Sequence, residues 1–71
     1  MKWQSMQITL NGEPRDLQHE TSVKSLLELL GLDARLVAVE LNRVVIKRDR
    51  YPATVIPDKA EVEIVAFVGG G

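Results

Sequence analysis

Apolar and polar residues alternate from the sixth position onward. Met6-Gln7-Ile8-Thr9-Leu10 has the two-residue period of a half-buried strand. Asn11-Gly12 follows, a strong signal for a tight hairpin, because both residues tolerate positive φ. A second strand is expected over Glu13 to Leu17, and Pro14 places it at a sheet edge, where a missing N–H does no harm. The period then changes. Val23, Leu26, Leu27 and Leu30 recur at helical spacing and form one apolar stripe. Thr21 or Ser22 is placed to cap that helix, and Gly31 to end it in a left-handed turn.

Alternation returns at Leu36 to Leu41, with Val37, Val39 and Leu41 on one face. Asn42-Arg43 turns the chain into Val44-Val45-Ile46. Residues Arg48 to Pro57 read as irregular, with one short helical turn near Asp49 to Tyr51, and Pro57-Asp58 signals a turn. Glu61 to Phe67 is the last predicted strand. Val62, Ile64 and Ala66 face one way; Glu61, Glu63, Val65 and Phe67 face the other.

The order β-β-α-β-β-β leaves one helix to cover one face of a sheet of about five strands. A final strand parallel to the first requires a crossover. The expected class is α+β, a mixed sheet in the β-grasp, or ubiquitin-like, arrangement. The expected core is Ile8, Leu10, Leu17, Val23, Leu26, Leu27, Leu30, Val37, Val39, Leu41, Ile46, Val55, Val62 and Ile64, with Tyr51 as a lid over the irregular segment. Residues 1–5 read as an N-terminal extension in which Trp3 packs peripherally. Residues 6–67 read as one domain, and residues 68–71 as a flexible Gly-rich tail.

Composition narrows what such a domain does. A chain of 71 residues has room for one small core and none for a buried catalytic cleft beside it. Net charge is -1, so no strong field favours nucleic acid or an anionic membrane. There is neither a secretory leader pattern nor a spanning apolar run, and a cytoplasmic location is expected. The absence of cysteine excludes thiolate metal sites, disulfides and cysteine nucleophiles. His19 stands alone, which does not make a metal site, and reads as a solvated loop residue.

The chemistry is therefore sought at Gly69-Gly70-Gly71. Glycine gains nothing for a fold here, because each residue loses the most freedom on ordering. A tail without Cβ atoms is narrow enough to enter another protein's slot. Val68 to Gly71, fully extended, reach about 13 Å. Ordering three glycines costs about 3–6 kcal/mol, so a folded docking surface must supply the difference. Val65, Phe67 and Val68 adjoin the tail and are the expected partner-binding residues. A carboxylate on Gly71 is a poor electrophile and needs activation, most simply by adenylation with ATP. The chain has no Gly-rich loop followed by Lys-Ser or Lys-Thr, so another protein must bind the ATP. A carrier, rather than an enzyme or a holder of any cofactor or metal, is the expectation.

Four segments carry a family likeness. Met6-Gln7-Ile8-Thr9-Leu10-Asn11-Gly12, Val39-Glu40-Leu41-Asn42, Arg48-Asp49-Arg50-Tyr51 and Val62-Glu63-Ile64-Val65-Ala66-Phe67-Val68-Gly69-Gly70-Gly71 resemble the ThiS family of sulfur carriers in thiamine biosynthesis. The resemblance implies three partners. A ThiF-type enzyme adenylates Gly71, sulfur from a cysteine desulfurase or another donor makes a thiocarboxylate, and thiazole synthase consumes it. Lys47 stands where family members often carry proline. A molybdopterin-pathway carrier, a ubiquitin-like modifier of lysines and a binding-only module remain as alternatives.

Two charged groups complete the reading. Arg43, Lys47, Arg48 and Arg50 suit a solvated basic edge that discourages sheet pairing, or a patch for an acidic partner. Glu61 and Glu63 point away from the core and suit steering of a basic one.

Overall fold

The computed structural model describes residues 5–67. Its strands are β1 (Met6–Leu10), β2 (Glu13–Leu17), β3 (Val37–Leu41), β4 (Val44–Ile46) and β5 (Glu61–Ala66), with one α-helix, α1 (Val23–Leu29). They form a single mixed sheet in the order β2-β1-β5-β3-β4. β5 pairs parallel to β1 and antiparallel to β3, so the last strand lies at the centre. Pro14 does lie on an edge strand, β2. This is the expected β-grasp arrangement.

Both hairpins turn on two residues of positive φ, Asn11 at 50° with Gly12 at 84°, and Asn42 at 51° with Arg43 at 69°. That pairing matches the right-handed twist of the flanking strands. Asparagine suits the left-handed region because its short amide can bond locally. Here the amides reach further, to β5. Asn11 Oδ1 accepts from Ile64 N–H at 2.7 Å, and its Nδ2 donates to the Ile64 carbonyl at 3.1 Å. Asn42 Oδ1 accepts from Glu61 N–H at 2.9 Å, while Asn42 N–H donates to the Glu61 carbonyl at 2.7 Å.

The helix starts at Ser22, whose Oγ accepts from Ser25 N–H at 3.0 Å, a cap worth about 1 kcal/mol. Thr21, the other candidate, is instead buried and donates to the His19 carbonyl at 2.7 Å. At the other end Gly31, at φ 71°, donates to the Glu28 carbonyl, and Leu32 donates to that of Leu27. Those two bonds satisfy the last carbonyls and stop the helix. Seven residues do not hold a helix alone. Burial of Val23, Leu26 and Leu27 against the sheet does, each contributing about 1.5–3 kcal/mol.

The core contains Ile8, Leu17, Val23, Leu26, Leu27, Val37, Val39, Tyr51, Ile56, Ala60, Val62 and Ile64. Leu10, Leu30, Leu41 and Ile46, expected inside, are partly buried and pack around it. Val55 is a correction: it is half exposed, and Ile56 takes the interior place. The segment runs extended beside the helix entry, where Val23 N–H donates to Thr54 and Ile56 N–H donates to Thr21. Alternation along that short pairing sends Ile56 inward and Val55 outward. The helical turn near Tyr51 is longer than expected, a 3-10 helix over Arg48–Ala53 with Tyr51 buried beneath it. Ala66 shares the inward face of β5 but is exposed.

Leu36 also departs from expectation, ending a 3-10 turn (Ala34–Leu36) rather than opening β3. Asp33 builds that turn. Its Oδ1 accepts from Arg35 N–H at 2.9 Å and from Arg35 Nε at 3.1 Å, and its Oδ2 lies 2.7 Å from Arg35 Nη2. The Arg35 side chain, then its N–H, lower the Asp33 pKa from 3.8 to about 2.

Two outcomes follow from this packing. Ile56→Ala is expected to destabilise by about 2–5 kcal/mol in urea unfolding, whereas Val55→Ala stays within about 0.5 kcal/mol. Because the Asp33 pKa is depressed on folding, its cap contributes above the unfolded value and is lost as pH falls through about 2. Carboxyl chemical shifts followed against pH should therefore place the Asp33 midpoint near about 2, below the ordinary aspartate value of 3.8.

Candidate functional site

The sheet has two different faces. Val39, Val62 and Ile64 turn toward the helix, and among the described residues the opposite face has no helix over it. The register fixes what lies there. Ala38 stands opposite Val65, and Glu40 opposite Glu63. Val45, paired with Glu40, extends the row onto β4. One step beyond Val65, Phe67 N–H donates to the Leu36 carbonyl at 2.7 Å, which brings Phe67 beside Leu36. Val65 is 60% exposed, Phe67 55% and Leu36 53%. Large apolar side chains grouped on an open face are the signature of a contact surface.

Val65 and Phe67 thus lie where alternation along the strand predicts. Leu36 and Ala38 join them through the neighbouring chain, a relation that becomes readable only when the β3–β5 register is known. Val68, Gly69, Gly70 and Gly71 lie outside the described residues, as does Trp3. Connectivity alone places Val68 immediately after the patch. The Asp33–Arg35 pair contributes indirectly, since it shapes the turn whose last carbonyl receives Phe67 N–H.

At the other end the open face is acidic. A groove of about 530 Å³ lies there, lined by Asn11, Gly12, Glu40, Arg43, Glu61 and Glu63. Two carboxylates, Glu40 and Glu63, stand directly opposite each other, an arrangement that costs rather than adds stability. Arg43 Nε is 3.5 Å from Glu61 Oε1, and both side chains are largely exposed, so the pair contributes little. The outer face is therefore polarised, apolar where the chain continues into Val68 and anionic near the hairpin tips.

Lys47, Arg48 and Arg50 are exposed beyond edge strand β4, as a solvated edge requires. His19 is exposed in the loop before the helix. Among the described residues no group of three His, Cys, Asp or Glu can hold a metal ion. No helix among them is long and apolar enough to cross a membrane. What the described residues offer is a shaped, charged surface leading into a glycine-rich end.

Known proteins resemble this chain in sequence and in fold. The family profile described as the ThiS family matches residues 8–71. A sulfur carrier protein ThiS of Thermus thermophilus is 39% identical over 64 residues, covering 90% of this chain and 98% of that one. The crystal structure of the thiamine biosynthesis protein ThiS of Geobacter metallireducens superposes with a TM-score of 0.80. It is 38% identical, and the match covers 93% of this chain and all of that one. A thiazole synthase of Paramagnetospirillum magneticum is 41% identical over 66 residues, and this chain spans about a fifth of its length. A match across nearly the whole chain, in fold and in sequence, leads to one conclusion: the chain belongs to the ThiS family, whose members of similar length include proteins named as sulfur carriers.

Proposed function

We propose that this chain carries sulfur for thiazole formation in thiamine biosynthesis, as a thiocarboxylate on Gly71. The observation that carries the reading is the family match, which runs through residue 71 and so includes the three glycines. A ThiF-type enzyme joins the Gly71 carboxylate to AMP, releasing pyrophosphate from ATP. Sulfide displaces AMP and leaves sulfur in place of one carboxylate oxygen; where a cysteine desulfurase supplies the sulfur as a persulfide, the acyl disulfide first formed is reduced by a thiol to the same thiocarboxylate. Thiazole synthase then takes that sulfur into the thiazole ring. The likeness of this chain to a fifth of a thiazole synthase supports that last partnership. All of these steps belong to the cytoplasm.

The division of labour follows from the residues. This chain supplies a main-chain carboxylate and a docking face; the partners supply ATP, sulfur and catalytic groups. Leu36, Val65 and Phe67 offset the ordering of the glycines by burying apolar surface on the partner, and Val68 continues that contact toward the reactive end. The match to ThiS favours this role over a molybdopterin-pathway carrier.

Intact-mass measurement after incubation with the activating enzyme, ATP and sulfide should show one oxygen exchanged for sulfur at Gly71. Conjugates on target lysines with no thiazole product would point instead to a protein modifier, and no adduct would leave a binding module. Removal of Gly70 and Gly71 is expected to abolish transfer with nearly unchanged thermal unfolding. Phe67→Asp is expected to weaken carrier binding to the activating enzyme about tenfold or more, with stability altered by less than about 0.5 kcal/mol, since the side chain is exposed.

A further inference from the structure

Asn11-Gly12 and Asn42-Arg43 turn the chain at the two hairpin tips, yet the turns alone do not use the asparagine amides. Gly12 shows that a residue without a side chain serves such a turn. The amides instead grip the two ends of one short stretch, Glu61 through Ile64, from opposite sides of β5.

The two grips differ in what surrounds them. Asn42 bonds Glu61 where β5 already has main-chain partners on both sides, because Glu61 also pairs with Thr9. Asn11 sits where they stop. Its own N–H donates to the Val62 carbonyl at 2.9 Å, and β1 then turns away into β2. β5 continues to Ala66 with β3 along one side only. On the vacated side the next main-chain pair, Ile64 N–H and carbonyl, is met by the Asn11 carboxamide at 2.7 and 3.1 Å. One side chain thus replaces one further rung of strand.

We infer that Asn11 is a positioning residue for the reactive end: its amide holds the projecting half of β5 so that Val65, Phe67 and the chain beyond them start from a fixed base. The role requires a left-handed backbone together with a donor and an acceptor on one short side chain. Glycine supplies the backbone without the amide. Aspartate supplies the backbone and the acceptor, but faces the Ile64 carbonyl with an anion instead of a donor. Asparagine supplies all three. Displacement of a reacting group by about 1 Å can cost about a hundredfold in rate. A base that swings therefore weakens activation even when the glycines and the docking face are intact.

The inference rests on the proposed activation of Gly71, and the test separates the two. Wild type, Asn11→Gly, Asn11→Asp and Asn42→Gly would be compared by amide hydrogen exchange and by thiocarboxylate formation with activating enzyme, ATP and sulfide at saturating carrier. In Asn11→Gly, exchange at Ile64 and Val65 should quicken about tenfold while Leu26 and Val39 keep their protection. Turnover at saturation should fall by about tenfold to a hundredfold. Asn11→Asp should fall between that variant and wild type, and Asn42→Gly should lose some stability but keep wild-type turnover. Should Asn11→Gly not fold, the aspartate variant carries the comparison. Fast Ile64 exchange with undiminished turnover would overturn the positioning role, as would a loss of turnover matched by an equal loss of protection throughout the core. An inert wild type would overturn the proposed function, and this role with it, before any variant is compared.

Discussion

Strand β5 has to satisfy two demands that ordinarily conflict. It is the central strand of the sheet, with Val62 and Ile64 buried against the helix, and it leads directly into the glycine-rich end. A central strand requires neighbours on both sides to pair its main-chain groups. A strand that delivers a terminus to another protein, as the proposed function requires of β5, has to run clear of those neighbours. The fold meets both demands by staggering them: β1 stops at Leu10, β3 accompanies β5 through Ala66, and the Leu36 carbonyl receives Phe67 N–H. Most of what distinguishes this molecule, including its hairpin-tip asparagines and the 3-10 turn before β3, lies around that stagger.

The outer face follows the same axis. Its apolar end lies where β5 is about to leave the sheet, and its anionic end lies between the hairpin tips. A partner meeting this face encounters contacts of different chemistry at its two ends, which sets an orientation as well as an affinity. Polar residues occupy positions where a more stable domain would avoid them, Glu40 against Glu63 being the clearest. Under the proposed function such choices are tolerable, since chemistry on the Gly71 carboxylate asks nothing of the side chains except presentation.

Much of this is legible in the chain itself, for reasons that can be named. Strict alternation places β1, β3 and β5, and the Asn-Gly and Asn-Arg pairs leave little choice about the turns. The glycine run needs no structure to be noticed, and the outward direction of Val65 and Phe67 follows from counting by two. The segment between Pro52 and Pro57 resists the same treatment. Thr54-Val55-Ile56 alternates too, but its phase is set by a long-range pairing with Thr21 and Val23, so Val55 and Ile56 exchange roles. Ala60 is too small to announce its burial. The asparagine amides are hidden for a subtler reason: their preference for positive φ already explains them as turn formers, which leaves no residual signal for a second task.

The strand order carries a kinetic corollary. β1 and β2 meet each other, β3 and β4 meet each other, and no strand of one hairpin pairs with the other until Glu61–Ala66 lies between them. The Asn11–Ile64 bonds span 53 residues of sequence. Closing loops of that length precedes any reward from the contacts they permit, so insertion of the middle strand between the two hairpins is the expected slow event of folding. A newly made chain therefore acquires its sheet only after residues 61–66 have been synthesised, and the apolar outer patch and the base of the glycine-rich end come into being in the same cooperative step.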